Sequence, residues 1–294
     1  ITSQEVMTIN NIKRSNAFYN AISRAIKGGE YVIELGKSTG IYSMIAVDKG
    51  AQSVTKLVES EIIKSATKAA VERNKHSDKV AVVVHQSGKS FDTKDITLKA
   101  DLVITDLLSV SLSNVTNLLR IIKLSKQFQK QNGKSIPESV EVKGALLGES
   151  SEINDLLKVA TVNGYDLSEF NKILRKNYTY KLYEKPNIIS KAVSILKVDF
   201  IDSEEIEHRE EYALMESTAT QICIGIAVWS KLNLFDGISY EENPTIDNQR
   251  SYSTIYLFER PFKIHSGQTA KIKYLINGEM GAWFEFIEFL NGVI

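Results

Sequence analysis

The chain has 294 residues, 43% hydrophobic and 24% charged, enough for two domains and a substantial buried core. Lys plus Arg and Asp plus Glu both number 36, so the formal net charge is zero, which argues against a dominant surface for nucleic acid or anionic membrane. The single Cys223 excludes an internal disulfide and a cysteine zinc cage. No apolar run approaches the ~18 residues of a bilayer span, and the polar opening "ITSQEV" does not read as a signal peptide. A reducing, intracellular compartment, cytoplasmic or nuclear, is the expectation.

From residue 11 to about 147, short β-branched runs alternate with helical stretches. "YVIEL" (31–35), "SVTKLV" (53–58), "KVAVVV" (79–84) and "DLVITDL" (101–107) read as buried parallel strands. Between them, "GIYSMIAVDKG" and "SEIIKSATKAAVERNK" carry apolar or small residues at helical spacing. Further on, Val115, Leu118, Leu119, Ile122 and Leu124 form much of one helix face. Strand-helix alternation of this kind predicts a doubly wound, Rossmann-like α/β domain over residues 1–147. The grammar then changes. "SKAVSILKVDFI", "TQICIGIAVWSKLNLF", "STIYLFERPFKI", "AKIKYLI" and "AWFEFIEFL" alternate or are aromatic-rich, predicting a β-rich barrel or sandwich over 148–294.

Doubly wound sheets bind ligands at the carboxyl ends of their strands. The first such end is "ELGKSTG", where Gly36 permits a tight turn and Gly40 lets a helix pack close to the strand. The amides at that helix start suit a carboxylate or phosphate; the loop is equally readable as a plain strand-to-helix turn. At the second end, Glu59 is the candidate acid for a ribose, with Glu61 behind it; both also read as helix-start charges. Asp106 stands at the tip of the fourth strand, facing a ligand or capping a nearby backbone group. His76, His85, His208 and His265 have no metal-like spacing, and no P-loop, G-x-S-x-G or H-E-x-x-H occurs.

The order of these elements resembles the protein arginine N-methyltransferases over nearly the whole chain. "NNIKRSNAFYNAISRAI" is similar to the family's N-terminal helix, and "VIELGKSTGIYSMIAVDKGAQSV" to its V-L-D-x-G-x-G-T-G-I-L-S motif. "DLVITDLLSVSLSNV" falls at the loop with two substrate-clamping glutamates. "NGKSIPESVEVKGALLGES" leads out of the methyltransferase domain, and "SILKVDF" and "GIAVWSKLNLFDGISY" resemble strands of the β-barrel. The spacing is closest to double-domain members, including those that make symmetric dimethylarginine.

The resemblance implies S-adenosylmethionine as cofactor, if the chain is active. Arg14 would grip its carboxylate, Glu34, Gly36 and Gly40 would form the cofactor loop, and Glu59 would bind the ribose. Departures are concentrated at the site. Ser38 replaces the loop's central glycine. Without gaps the ribose acid falls on Val58, so Glu59 points away from the site unless a bulge turns it in. Asp106 stands for the first clamping glutamate and Val115, beside Asn114, for the second; Arg250-Ser251 occupies the place of the barrel's His-Trp dipeptide. A guanidinium wants paired carboxylates. A regulatory pseudo-methyltransferase that acts through an active partner is therefore expected, the alternative being an active enzyme with a divergent site. The family's ring-forming arm falls on 171–190, where Tyr178, Tyr180, Leu182 and Tyr183 offer a docking face or pack on the barrel.

Overall fold

The computed structural model describes residues 3–36, 39–85, 99–107, 115–151, 153, 159–173, 177–180, 185–200, 208–245, 253–277 and 281–290. Two N-terminal helices, α1 (Ser3–Ile9) and α2 (Ile12–Ala25), precede five strands: β1 (Tyr31–Gly36), β2 (Ser53–Val58), β3 (Val80–Val84), β4 (Ala100–Asp106) and β5 (Gln129–Ile136). They form one sheet in the order β3-β2-β1-β4-β5, all parallel, with α3 (Ile41–Asp48), α4 (Glu61–Arg73) and α5 (Val115–Phe128) among the crossovers. This is the expected Rossmann-like half.

Its central strands are buried on both faces, which is why they read as apolar runs instead of alternating ones. Val32, Val54, Leu102 and Ile104 pack with Phe18 and Ile22 of α2 and with Tyr42 and Ala46 of α3. On the opposite face Ile33, Leu35, Leu57 and Val103 pack with Phe128 of α5. The face below α2 and α3 also carries Glu34, Lys56 and Asp106, all buried, because side chains alternate along each strand.

The parallel arrangement ends at Ile136, and β6 (Ser139–Gly148) opens the antiparallel half. There β10 (Val193–Asp199), β6, β12 (Gln221–Phe235), β14 (Ser253–Ile264) and β9 (Asn177–Tyr180) run side by side, with β13 (Ile238–Glu241) pairing β12. A second sheet has the order β11 (His208–Glu216), β15 (Thr269–Asn277), β16 (Gly281–Leu290). Inward residues of both, among them Ile226, Val228, Tyr256, Ile272, Tyr274 and Phe284, share one core, making the barrel of the expected fold. Tyr178 and Tyr180, within the expected arm, lie in β9, hydrogen-bonded along β14; Leu182 and Tyr183 lie outside the described residues.

Two short hairpins use the positive-φ turns that suit right-twisted strands. Asn163-Gly164 joins β7 (Thr161–Val162) to β8 (Tyr165–Asp166), and Asp236-Gly237 joins β12 to β13. The second hairpin lies on α2, where Arg24 donates to the Asp236 carbonyl at 2.9 Å. It is this hairpin that brings barrel residues to the edge of the parallel sheet. Among the described residues no helix is long and apolar enough to cross a membrane.

Candidate functional site

The site is built where α2, the start of α3 and the ends of β1, β2 and β4 meet the β12–β13 hairpin. Asn11 caps α2 by accepting from the Arg14 amide at 3.0 Å. Its amide nitrogen donates to the Tyr240 hydroxyl of the hairpin at 2.8 Å, tying the two halves together. Arg14 therefore starts the buried stripe of α2 that continues through Phe18, Ala21, Ile22 and Ala25. A guanidinium on an apolar stripe must find acceptors, and Arg14 finds three. It donates to the Tyr42 hydroxyl at 2.7 Å, to Asp106 Oδ1 at 2.5 Å and to the Leu107 carbonyl at 3.1 Å. Its Cζ lies 4.6 Å from the Phe18 ring centre, and that ring stacks on Tyr42 at 4.4 Å. Nε alone has no hydrogen-bond partner among the described residues.

Electrostatics follow from the burial. Desolvation pulls the Arg14 pKa down, but Asp106 and Tyr42 outweigh it and the guanidinium stays firmly charged. Tyr42 is raised far above the phenol range by burial first, with Arg14 opposing. Glu242 follows β13 and accepts from Ser230 at 3.0 Å. Burial raises its pKa; Arg14 and the Ser230 hydroxyl pull it back, and Asp106 adds to the rise.

Gly36 and Gly40 stand at the end of β1 and the start of α3. Gly36 has φ +97°, and a Cβ there would stand 2.4 Å from the Asp106 carbonyl oxygen, so only glycine lets the ends of β1 and β4 approach. Gly40 has φ +87° and caps α3 without a side-chain bond. Ser38 lies outside the described residues. The amides of α3 are not all available to a ligand, however. Glu34 reaches across from β1 and accepts from the Ser43 amide at 2.7 Å, and from the Ser43 hydroxyl as well. Its other oxygen lies 3.3 Å from Lys56 Nζ. Lys56 in turn donates to the Gly36 carbonyl at 2.8 Å. Glu34 and Lys56 are both wholly inaccessible to solvent.

The second strand end sorts Val58 from Glu59. The β2 register against β1 and β3 is regular, ending at Val58 opposite Val84, so no bulge turns Glu59 inward. Val58 is buried with the α2 and α3 core, while Glu59 is exposed just before Ser60, the N-cap of α4. Glu59 lies near His85, whose pKa is lowered by burial first and then by Arg120, with Glu59 opposing. Val115 is the first residue of α5; Asn114 and Arg250-Ser251 lie outside the described residues.

The structure thus brings together Arg14, Asp106, Glu34, Gly36 and Gly40 of the sequence candidates, and leaves Glu59 apart. Tyr42, Lys56, Tyr240 and Glu242 join them, though none stands at a motif's ligand position. Lys56 alone of these carried a sequence signal, as a lysine inside an apolar run. Asp106 and Glu242 both act on the Arg14 cation. Among the described residues no group of three metal-binding side chains converges.

No protein-family model matches the chain. It is 23% identical over 269 residues to an arginine N(omega)-methyltransferase of Streptomyces achromogenes subsp. streptozoticus, covering 90% of this chain and 73% of that protein. It is 23% identical over 282 residues to a probable protein arginine N-methyltransferase 3 of Arabidopsis thaliana, covering 85% and 45%. With the histone-arginine methyltransferase CARMER of Drosophila persimilis it shares 26% identity over 267 residues, covering 83% and 48%. The chain therefore spans about half the length of the plant and fruit-fly relatives. Its fold is similar to a solved Trypanosoma brucei PRMT1 enzyme-prozyme heterotetrameric complex with AdoHcy, at a TM-score of 0.78 and 14% identity, covering 97% of both chains. In sequence order and in fold, the chain is similar to the protein arginine methyltransferases, at identities of 23–26% to these relatives.

Proposed function

We propose that this chain is a regulatory, non-catalytic member of its family, acting by association with an active arginine methyltransferase. The observation that carries the reading is the side of β2 on which its acid stands. Val58 faces the site and Glu59 faces solvent, in a strand with no irregularity to exchange them. An S-adenosyl cofactor needs an acceptor for its ribose at that strand tip, so the residues present do not fit the group well. The substrate side is weakened too. Asp106 already receives Arg14, and the place of the second clamping acid is Val115. A peptide guanidinium held by one shared carboxylate lacks the bidentate geometry that would orient it.

Association is supported by an exposed apolar segment. Val162, Tyr165, Phe170 and Ile173 are all more than half exposed within a stretch of a dozen residues that runs from the β7–β8 hairpin into a 3-10 helix, Ser168–Lys172. Such a cluster of exposed apolar side chains suits a partner's surface better than water. The similar solved structure is itself a complex of an enzyme with a prozyme. The occupant in this proposal is an active methyltransferase subunit.

Transfer of labelled methyl from S-adenosylmethionine to an arginine-rich protein tests the reading. The chain alone should transfer none. Mixed with an active methyltransferase of the same source, it should co-elute on size exclusion and raise that enzyme's rate. Transfer by the purified chain alone would overturn the reading and favour the alternative, an active enzyme with a divergent site. That alternative rests on the retained glycine geometry at Gly36 and Gly40.

A further inference from the structure

Lys56 is a lysine with no accessible surface in the middle of a parallel strand. A buried ammonium is costly unless its hydrogen bonds are satisfied, so its position is chosen by its acceptors. Those acceptors are the Gly36 carbonyl, at the carboxyl end of β1, and the Glu34 carboxylate, which also caps α3. Both belong to the crevice where a doubly wound sheet receives its ligand. The side chain runs from the third-last position of β2 towards that crevice and delivers its charge directly under the glycine loop. Any ligand placed there meets a carbonyl already accepting, a carboxylate already paired and four methylenes of filled volume.

We propose that Lys56 is a built-in occupant of the cofactor crevice, an internal ammonium that excludes S-adenosyl ligands from the floor of the site. This deepens the non-catalytic reading, on which it rests, by naming the residue that closes the cleft. The exclusion has two parts. The stem takes volume below the loop, and the Glu34 carboxylate, paired with Lys56, is withdrawn from an incoming ammonium or sulfonium. Glu34 is held from both sides, by Lys56 on one oxygen and by Ser43 on the other.

The test is calorimetric titration with S-adenosylhomocysteine, which is independent of any methylation assay. Wild-type protein should show a dissociation constant above about 100 μM, an affinity weaker than roughly −5.5 kcal/mol. Lys56→Gly empties the floor and should tighten binding at least tenfold. Because that change strands the Glu34 carboxylate, the double variant Lys56→Gly with Glu34→Gln is titrated beside it. The amide oxygen that the second change introduces still accepts from Ser43, and this variant should also bind at least tenfold tighter than wild type. Low-micromolar binding by the wild-type chain would overturn the proposal. So would either variant binding no tighter while its circular dichroism and melting remain native. The two readings separate cleanly. A wild-type chain that binds tightly yet transfers no methyl defeats the Lys56 proposal and the ribose argument at Val58 but leaves the chain non-catalytic, and a chain that stays empty but gives no stimulation of a partner defeats the association alone.

Discussion

Arg14 and Asp106, 92 residues apart in the chain, meet at 2.5 Å with both side chains 2% exposed. The pair joins α2 to the end of β4, so it fixes the N-terminal helices to the ligand edge of the sheet. Removing one member leaves the other charged and desolvated, which costs about 3–5 kcal/mol for buried pairs. Arg14→Met and Asp106→Leu should each lower the urea-unfolding free energy by that order. Their combination should cost less than the sum of the two, since it removes both charges and retains apolar volume. An additive double-mutant cycle would show that the contact is not energetically coupled.

Glu242 gives the site a pH dependence of known sign. Its folded pKa is raised, by burial first, above that of an unfolded glutamate, despite Arg14 and Ser230 pulling down. The folded state therefore holds this proton more tightly than the unfolded one. The contribution is fully present below the ordinary glutamate range and is lost as pH rises through the folded value. Glu242→Gln should remove this dependence, so that the gain in stability over wild type grows from mildly acidic towards neutral pH. Denaturant melts of both proteins at several pH values measure it; a constant difference would mean that Glu242 titrates normally.

The parallel half was legible because buried strands announce themselves as apolar runs, and β2 runs from Ser53 to Val58 just as "SVTKLV" suggests. The barrel was legible in its alternating and aromatic-rich strands. β11, with the sequence HREEYALME, escapes a hydrophobic scan. Its outer positions are charged or expose Tyr212 and Leu214, while Ala213 and Met215 face the core. The β7–β8 hairpin carries an Asn-Gly turn, yet its two-residue strands are too short to show periodicity. At the site, Lys56 shows what pattern can reveal. Alternation puts it on one face with Val54 and Val58 in a strand buried on both sides, so a buried lysine there needs acceptors, and Glu34 is its register neighbour. Tyr240 and Glu242 had no such signal, because only the hairpin's packing on α2 brings them in.

Two glycines with similar backbone conformations should respond very differently to alanine. Gly36 and Gly164 have φ of +97° and +85°, a region that costs an L-residue about 1–2 kcal/mol. A Cβ at Gly164 meets nothing within 4 Å, so Gly164→Ala should cost only that. At Gly36 the Cβ would also collide with the Asp106 carbonyl, adding the roughly 1–3 kcal/mol typical of overpacking. Unfolding free energies of the two variants test the comparison. Equal losses would mean that β1 and β4 can part at their ends without cost.

The exposed segment at 162–173 separates association from folding. Phe170 and Ile173 are 55% and 78% exposed, so replacing both with serine removes little buried surface, and each surface change should stay within about 0.5 kcal/mol of stability. If the segment docks on an active subunit, the same side chains become buried anchors there, each worth more than about 1 kcal/mol. The double variant should then melt like wild type but bind its partner at least tenfold more weakly in sedimentation or interferometry. Stimulation of the partner's methyl transfer should fall in parallel, recovering at high concentration of the variant. Unchanged affinity would move the interface elsewhere on the chain, while a lowered melting temperature would show that these side chains already pack within it.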